Sequence, residues 1–184
     1  MKKTVLTFGL TSGAISILMM VVNTSFADRI GFDMGEILGY TILVLSFLMV
    51  FVGIRSYRDK VNGGSITFKR ALAVGLLITV ISCVCYVATW EILYFQTPYF
   101  RGFMDKYAAY TVDRAKGSGA SADEVEAQVQ QMKHFKELYE NPLYNIAFTF
   151  MEPFPVGLVV TLISAAVLRK KERGPATVTA SVTS

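Results

Sequence analysis

The sequence predicts an all-α membrane protein: four transmembrane helices, with an extracytoplasmic helical hairpin between helices 3 and 4. Three observations carry this. Four apolar runs, Val5–Phe26, Ile37–Ile54, Ala71–Trp90 and Ile146–Leu168, are each long enough to cross a hydrocarbon core about 30 Å thick as a helix. Lys and Arg crowd one set of span ends, eleven of them, while the other side carries Arg29 and six more spread along Gln96–Pro142. That segment is the only sizeable stretch outside the spans, and its apolar residues recur at helical spacing. The 53% hydrophobic content and mean hydropathy of +0.45 agree with this class and leave no room for a soluble catalytic domain of ordinary size.

In order, the expected spans are about 5–26, 35–54, 71–93 and 146–168, within a single membrane domain 1–173. The first carries Gly9-x-x-x-Gly13, a spacing that lets helices approach closely in lipid. Its Lys2-Lys3 start and Ser25-Phe26-Ala27 end also resemble a cleaved signal peptide, although its apolar run exceeds the usual length of about 7–15 residues. A basic link, Arg55–Arg70, turns at Gly63-Gly64, and Thr67 is placed to cap the third span. Cys83 and Cys85 in that span point about 200° apart on a helix, so they read as small apolar residues rather than a disulfide. Basic residues are retained in the cytoplasm, which puts both termini inside the bacterial cytoplasmic (inner) membrane.

The hairpin is expected over about 98–140. Pro98 can open its first helix, with Phe100, Phe103, Tyr107 and Tyr110 on one face. Gly117-Ser118-Gly119 breaks the pattern, and Ser121 with Glu124 forms a capping box that starts the second helix. Val125, Val129, Met132, Phe135 and Tyr139 continue at helical spacing until Asn141-Pro142 ends it. Phe103, Tyr107, Tyr110, Met132, Phe135 and Tyr139 form the candidate partner surface, for an envelope protein or a second copy, unless the two faces cover each other over the span ends. With six basic against seven acidic residues, the segment has no attraction for anionic lipid. The tail 174–184, small and Thr/Ser-rich, is expected to be disordered.

Little in the chain points to catalysis. The single histidine, His134, falls on the wet face of its helix, and no metal-ligand spacing, nucleophile elbow or phosphate loop occurs. No enzyme activity and no cofactor are therefore expected. The net charge of +4 sits beside the spans rather than on one recognition face, so nucleic acid is not an expected partner, whereas the lipid bilayer is. Glu36, Glu91 and Glu152 lie near the outer membrane boundary and make a candidate ion or proton site. Glu36 and Glu152 open their helices, where the dipole accommodates an acid, but Glu91 closes one, where it does not. Pro153 and Pro155 follow Glu152 and each removes a backbone donor, which predicts a kink beside that carboxylate.

Two function classes follow: an accessory or interaction protein of the cell envelope using its hairpin, and a small transporter or ion-coupled module using the glutamates. Several segments carry a resemblance to a known family: Val52 through Lys60, Ile66–Phe68, Tyr86 through Glu91, Phe103–Tyr107, Pro155 through Val159, and Leu168–Lys171. Together they resemble the bacterial membrane proteins grouped as domain of unknown function 4199. The resemblance implies a four-span integral membrane protein and no established activity.

Overall fold

The computed structural model describes residues 1–170, which are almost wholly helical. The helices are α1 (Lys2–Ser25), α2 (Ala27–Ile30), α3 (Phe32–Lys60), α4 (Phe68–Gln96), α5 (Pro98–Gly117), α6 (Ala122–Tyr139), α7 (Pro142–Met151) and α8 (Pro153–Leu168). Four units are long and apolar enough to cross a membrane: α1, α3, α4, and α7 continued by α8. The chain is accordingly a multi-pass membrane protein. The expected disordered tail 174–184, like Lys171 and Arg173, lies outside the described residues.

The span boundaries move in physically readable ways. Arg55, Arg58 and Lys60 continue α3 instead of forming a link, because they favour its C-terminal dipole. The true link is Val61–Thr67, turning through Gly63 and Gly64 at positive φ. Thr67 caps α4 as its position predicts, accepting from the Arg70 amide at 3.3 Å. Asn141-Pro142 does more than end α6. The Asn141 side chain accepts from the amides of Leu143 and Tyr144, and Pro142 opens α7, so the last span begins there and not at 146. At Gly31, between α2 and α3, φ is +77° with ψ at 157°, a conformation essentially reserved for glycine.

α1, α3, α4 and α8 form the bundle, with α1 and α8 both packed on the α3–α4 pair. Small residues set the close approaches. A Cβ on Gly9 would fall 2.8 Å from Ile81, and one on Gly13 would fall 2.9 Å from Cys85, so the Gly-x-x-x-Gly face lies against α4. Gly75 and Gly157 do the same between α4 and α8, meeting Thr161 and Thr79 respectively, and the Thr79 and Thr161 hydroxyls bond at 3.0 Å. Buried hydroxyls also stitch α1 to its neighbours. Ser12 bonds Ser46 and Ser82 at 3.1 Å each, and Ser16 bonds Ser46 at 2.6 Å. Far from water, each hydroxyl must find a partner inside the protein, and these serines supply one another.

Two ends are thereby defined. At the link end, Ile66 and Lys170 exchange backbone bonds of 3.0 and 2.9 Å, and Arg70 donates to the Tyr57 hydroxyl at 2.8 Å. At the other end α5 and α6 lie side by side, with an ion pair between Asp105 and Lys136. The capping box at Ser121 and Glu124 is present.

Candidate functional site

The site is built from α3, α4, α6 and the α7–α8 break, near the α5/α6 end. Pro153 and Pro155 have no N–H to offer, so the carbonyls of Thr149 and Met151 lose their helical donors. The helix yields at Glu152, which belongs to neither α7 nor α8. Tyr86 of α4 donates its hydroxyl to Glu152 Oε2 at 3.1 Å.

Two helices give the same depth for this pair. Glu152 stands sixteen residues before Leu168, a rise of about 24 Å, and Tyr86 fifteen after Ala71, about 22 Å. Both heights fall inside a core about 30 Å thick, within several ångströms of its far boundary. Glu36, counted back nineteen residues from Arg55, reaches about 28 Å.

Around Glu152 the structure gathers tyrosines. Tyr40 follows Glu36 by one turn on α3. Tyr86 meets Glu152 directly, and Tyr139 reaches the same helix break through Thr149. Exposure is uneven: Tyr86 and Tyr139 are buried, whereas Tyr40 is 47% and Tyr107 39% exposed, as are Glu36 and Glu152. The result is a Tyr86–Glu152 pair at the helix break, backed by Tyr139 and Thr149. Asn145, fully buried, braces it by donating to the Tyr139 carbonyl at 3.0 Å and accepting from Thr149 at 3.1 Å. Tyr139 and Thr149 share a hydroxyl contact of 3.2 Å, and burial pushes the Tyr139 phenol well above its ordinary range.

Trp90 stands one turn above Tyr86 on the same face of α4. Its ring meets Phe100 and Phe103 edge-on, with its buried Nε1–H near the Tyr139 hydroxyl. Glu91 is elsewhere. Five residues from Tyr86, it points about 140° away around the helix. Its Oε1 is buried without a hydrogen-bond partner. Of the three expected acids, Glu152 pairs with Tyr86, Glu36 stands one turn before Tyr40 on α3, and Glu91 faces away from Tyr86.

Five of the six expected partner-surface residues make intramolecular contacts. Phe103, Tyr107 and Tyr110 surround Phe32 with centroid separations of 5.5, 5.8 and 4.9 Å. Tyr139 stacks edge-on with Tyr94 at 5.3 Å, and Phe135 packs on Tyr139 and Phe148. Polar pins reinforce this seating: Tyr99 donates to the Thr24 carbonyl at 3.1 Å, and Lys106 to Asp28 at 2.7 Å. The Asp28 bond holds the Lys106 ammonium above its usual range. Met132 borders a groove of about 420 Å³ between α5 and α6 that Ala108, Ala109, Val112 and Val129 also line. His134 is exposed, as its helical position predicts.

The Tyr86–Glu152 pair leaves no local mark along the chain, because the two residues are distant in sequence. The available signals were weak: Tyr40 follows Glu36, and Trp90 follows Tyr86, by one helical turn each.

Residues 7–170 match a family model described as protein of unknown function (DUF4199). No curated protein and no solved structure matches the chain.

Proposed function

The chain belongs to the DUF4199 family of proteins of unknown function, and from its geometry we propose a membrane module that binds a cation at Glu152, without enzymatic activity. It sits in the bacterial cytoplasmic membrane with both termini inside, an orientation favoured by the basic residues at the link end. α5 and α6 form an extracytoplasmic hairpin that caps the outer side of the site. The observation that carries this reading is the Tyr86–Glu152 bond, a carboxylate held inside the span beside a broken helix. None of the ion pairs among the described residues includes Glu152 or Glu36. A carboxylate at such depth needs a proton or a cation for charge balance.

Thermal unfolding of purified protein in sodium, potassium and methylammonium chlorides at constant ionic strength tests it. A ligand that binds the native state raises stability with concentration. Wild type should gain more than Glu152→Gln from at least one cation. Equal responses from both proteins to all three would refute the site. Uptake of that cation into proteoliposomes then separates a transporter from a static binding protein.

A second reading keeps the accessory role and moves its surface to the α5–α6 groove, the one favoured by Met132 and its apolar lining. Val112→Asp should then abolish co-purification of an envelope partner from native membranes while leaving Glu152-dependent cation binding intact.

A further inference from the structure

We propose that the link end of the bundle binds the phosphate of an anionic phospholipid, held by Lys69, Arg70, Arg169 and Lys170 at the level of the headgroups. This site stands apart from the cation reading and uses none of its residues.

Charge is the first observation. Residues 1–3, 55–70 and 169–170 carry nine of the eighteen Lys and Arg residues and one acid, Asp59. Asp59 is already engaged, by Arg58 at 2.6 Å and by Arg55 at 3.7 Å. Lys69, Arg70, Arg169 and Lys170 are exposed and make no ion pair among the described residues. The second is how the fold gathers these four, which come from distant parts of the chain. The Ile66–Lys170 bridge ties the exit of α8 to the link just before Lys69. Arg70 is set in place by Tyr57, whose hydroxyl takes two guanidinium bonds of 2.8 and 3.2 Å and whose ring centroid lies 5.8 Å away. A guanidinium has more donors than these two, and their fork matches the oxygens of a phosphate.

The third is depth. The apolar run of α4 begins at Ala71 and that of α8 ends at Leu168, so the four cations adjoin the hydrocarbon directly. Orientation alone asks only for basic residues within about 15–20 residues of a span end. Lys60 meets that need about 9 Å beyond Ile54 along α3, out in water. The four stand instead where lipid phosphates stand. The fourth is the flank beside them. Ile163 and Val167, 59% and 67% exposed, share a face of α8 with Lys170. An acyl chain covers that flank while its phosphate meets the cations, a pairing that a soluble acidic partner does not provide.

Native mass spectrometry of lipid retention tests this on the full chain in detergent, where lipid reaches both ends of the bundle. Wild type, Lys69→Gln, Lys69→Gln combined with Arg169→Gln, Lys60→Gln and Lys133→Gln would each be loaded with phosphatidylglycerol or phosphatidylcholine of identical chains. Each cation at headgroup level is worth about fivefold in binding. Wild type should therefore retain the glycerol lipid at least about tenfold better, and the preference should fall as ammonium acetate is raised. The double variant should lose it, whereas Lys60→Gln and the hairpin variant Lys133→Gln should keep it. All four substituted residues are exposed, and gel filtration checks that each variant is folded. Lys69→Gln alone, with its loss of about fivefold, is the second probe should the double variant misfold.

Equal retention of the two lipids, or a preference untouched in the double variant, would overturn the proposal. So would an equal loss in Lys133→Gln, which would mark a response to net charge and not to this corner. Displacement of the lipid by millimolar free glycerol phosphate would overturn the lipid source and leave a soluble phosphate as the ligand. Glu152→Gln should retain the glycerol lipid as wild type does, so this site and the cation reading stand or fail separately.

Discussion

Replacing Gly157 with alanine tests the packing that positions the site, because Gly157 lies one turn below Glu152 in the sense of α8. A Cβ there would fall 2.5 Å from Thr79 Cγ2 and 2.9 Å from two ring carbons of Phe47. Carbon atoms are comfortable at about 3.5–4.0 Å, so about 1 Å of movement is required. Neither neighbour yields readily. Thr79 and Phe47 are fully buried, and Thr79 is β-branched and bonded to Thr161 at 3.0 Å. α8 must therefore shift outward, stretching that bond. Overpacking of this kind costs about 1–3 kcal/mol, and the interhelical hydroxyl bond adds about 0.6 kcal/mol. A total near 2 kcal/mol lowers the folded-to-unfolded ratio by roughly thirtyfold. Reversible unfolding in mixed micelles, with dodecyl sulfate titrated against dodecylmaltoside, measures this. Thr79→Ser removes Cγ2 and keeps the hydroxyl, so Gly157→Ala should cost at least about 1 kcal/mol less in that background. A Gly157→Ala protein within about 0.5 kcal/mol of wild type, or strict additivity in the double variant, would refute the reasoning.

Gly102 gives the opposite sign. Nothing lies within 4 Å of a Cβ there and α5 is helical through it, so Gly102→Ala should stabilise by about 0.4–1 kcal/mol, read in the same titration. Ser46→Ala removes the shared partner of Ser12 and Ser16, and should cost about 0.6–1.7 kcal/mol; no loss would mean those hydroxyls are satisfied within α1. In α6 the Ser121 amide and hydroxyl hold the Glu124 carboxyl below the ordinary range. A lowered folded pKa makes its contribution present above the ordinary carboxylate range and lost as pH falls through the lowered value. Amide exchange at the start of α6 should accelerate in that acid window for wild type. In Glu124→Gln that acid-dependent change should be absent, and an identical pH response in both proteins would discount the cap.

Much of the architecture was legible along the chain because a bilayer constrains local sequence so strongly. An unbroken apolar run has few alternatives to a helix when no water can satisfy its backbone, and Thr67, Ser121 and Glu124 mark their helix starts through purely local bonds. The Gly9–Gly13 spacing announced a close contact, and α4 supplied it. Along the chain Asn141-Pro142 marks a stop, yet it is also a start, because one residue pair can end a helix and cap the next. The aromatic residues of α5 and α6 announced an apolar face without saying what covers it; Phe32, Tyr94 and Phe148 do.

By itself, then, the sequence determined four spans, their breaks and caps, and the presence of acids near one membrane boundary. Each of these depends on residues a few positions apart, or on hydropathy summed over one segment. Only the tertiary structure decided which acid finds a partner. Glu152 meets Tyr86 while Glu91 turns away, since that outcome depends on how α4 and the α7–α8 span rotate against one another. Those rotations are set by glycine and hydroxyl contacts between helices, a property of pairs that no single segment contains.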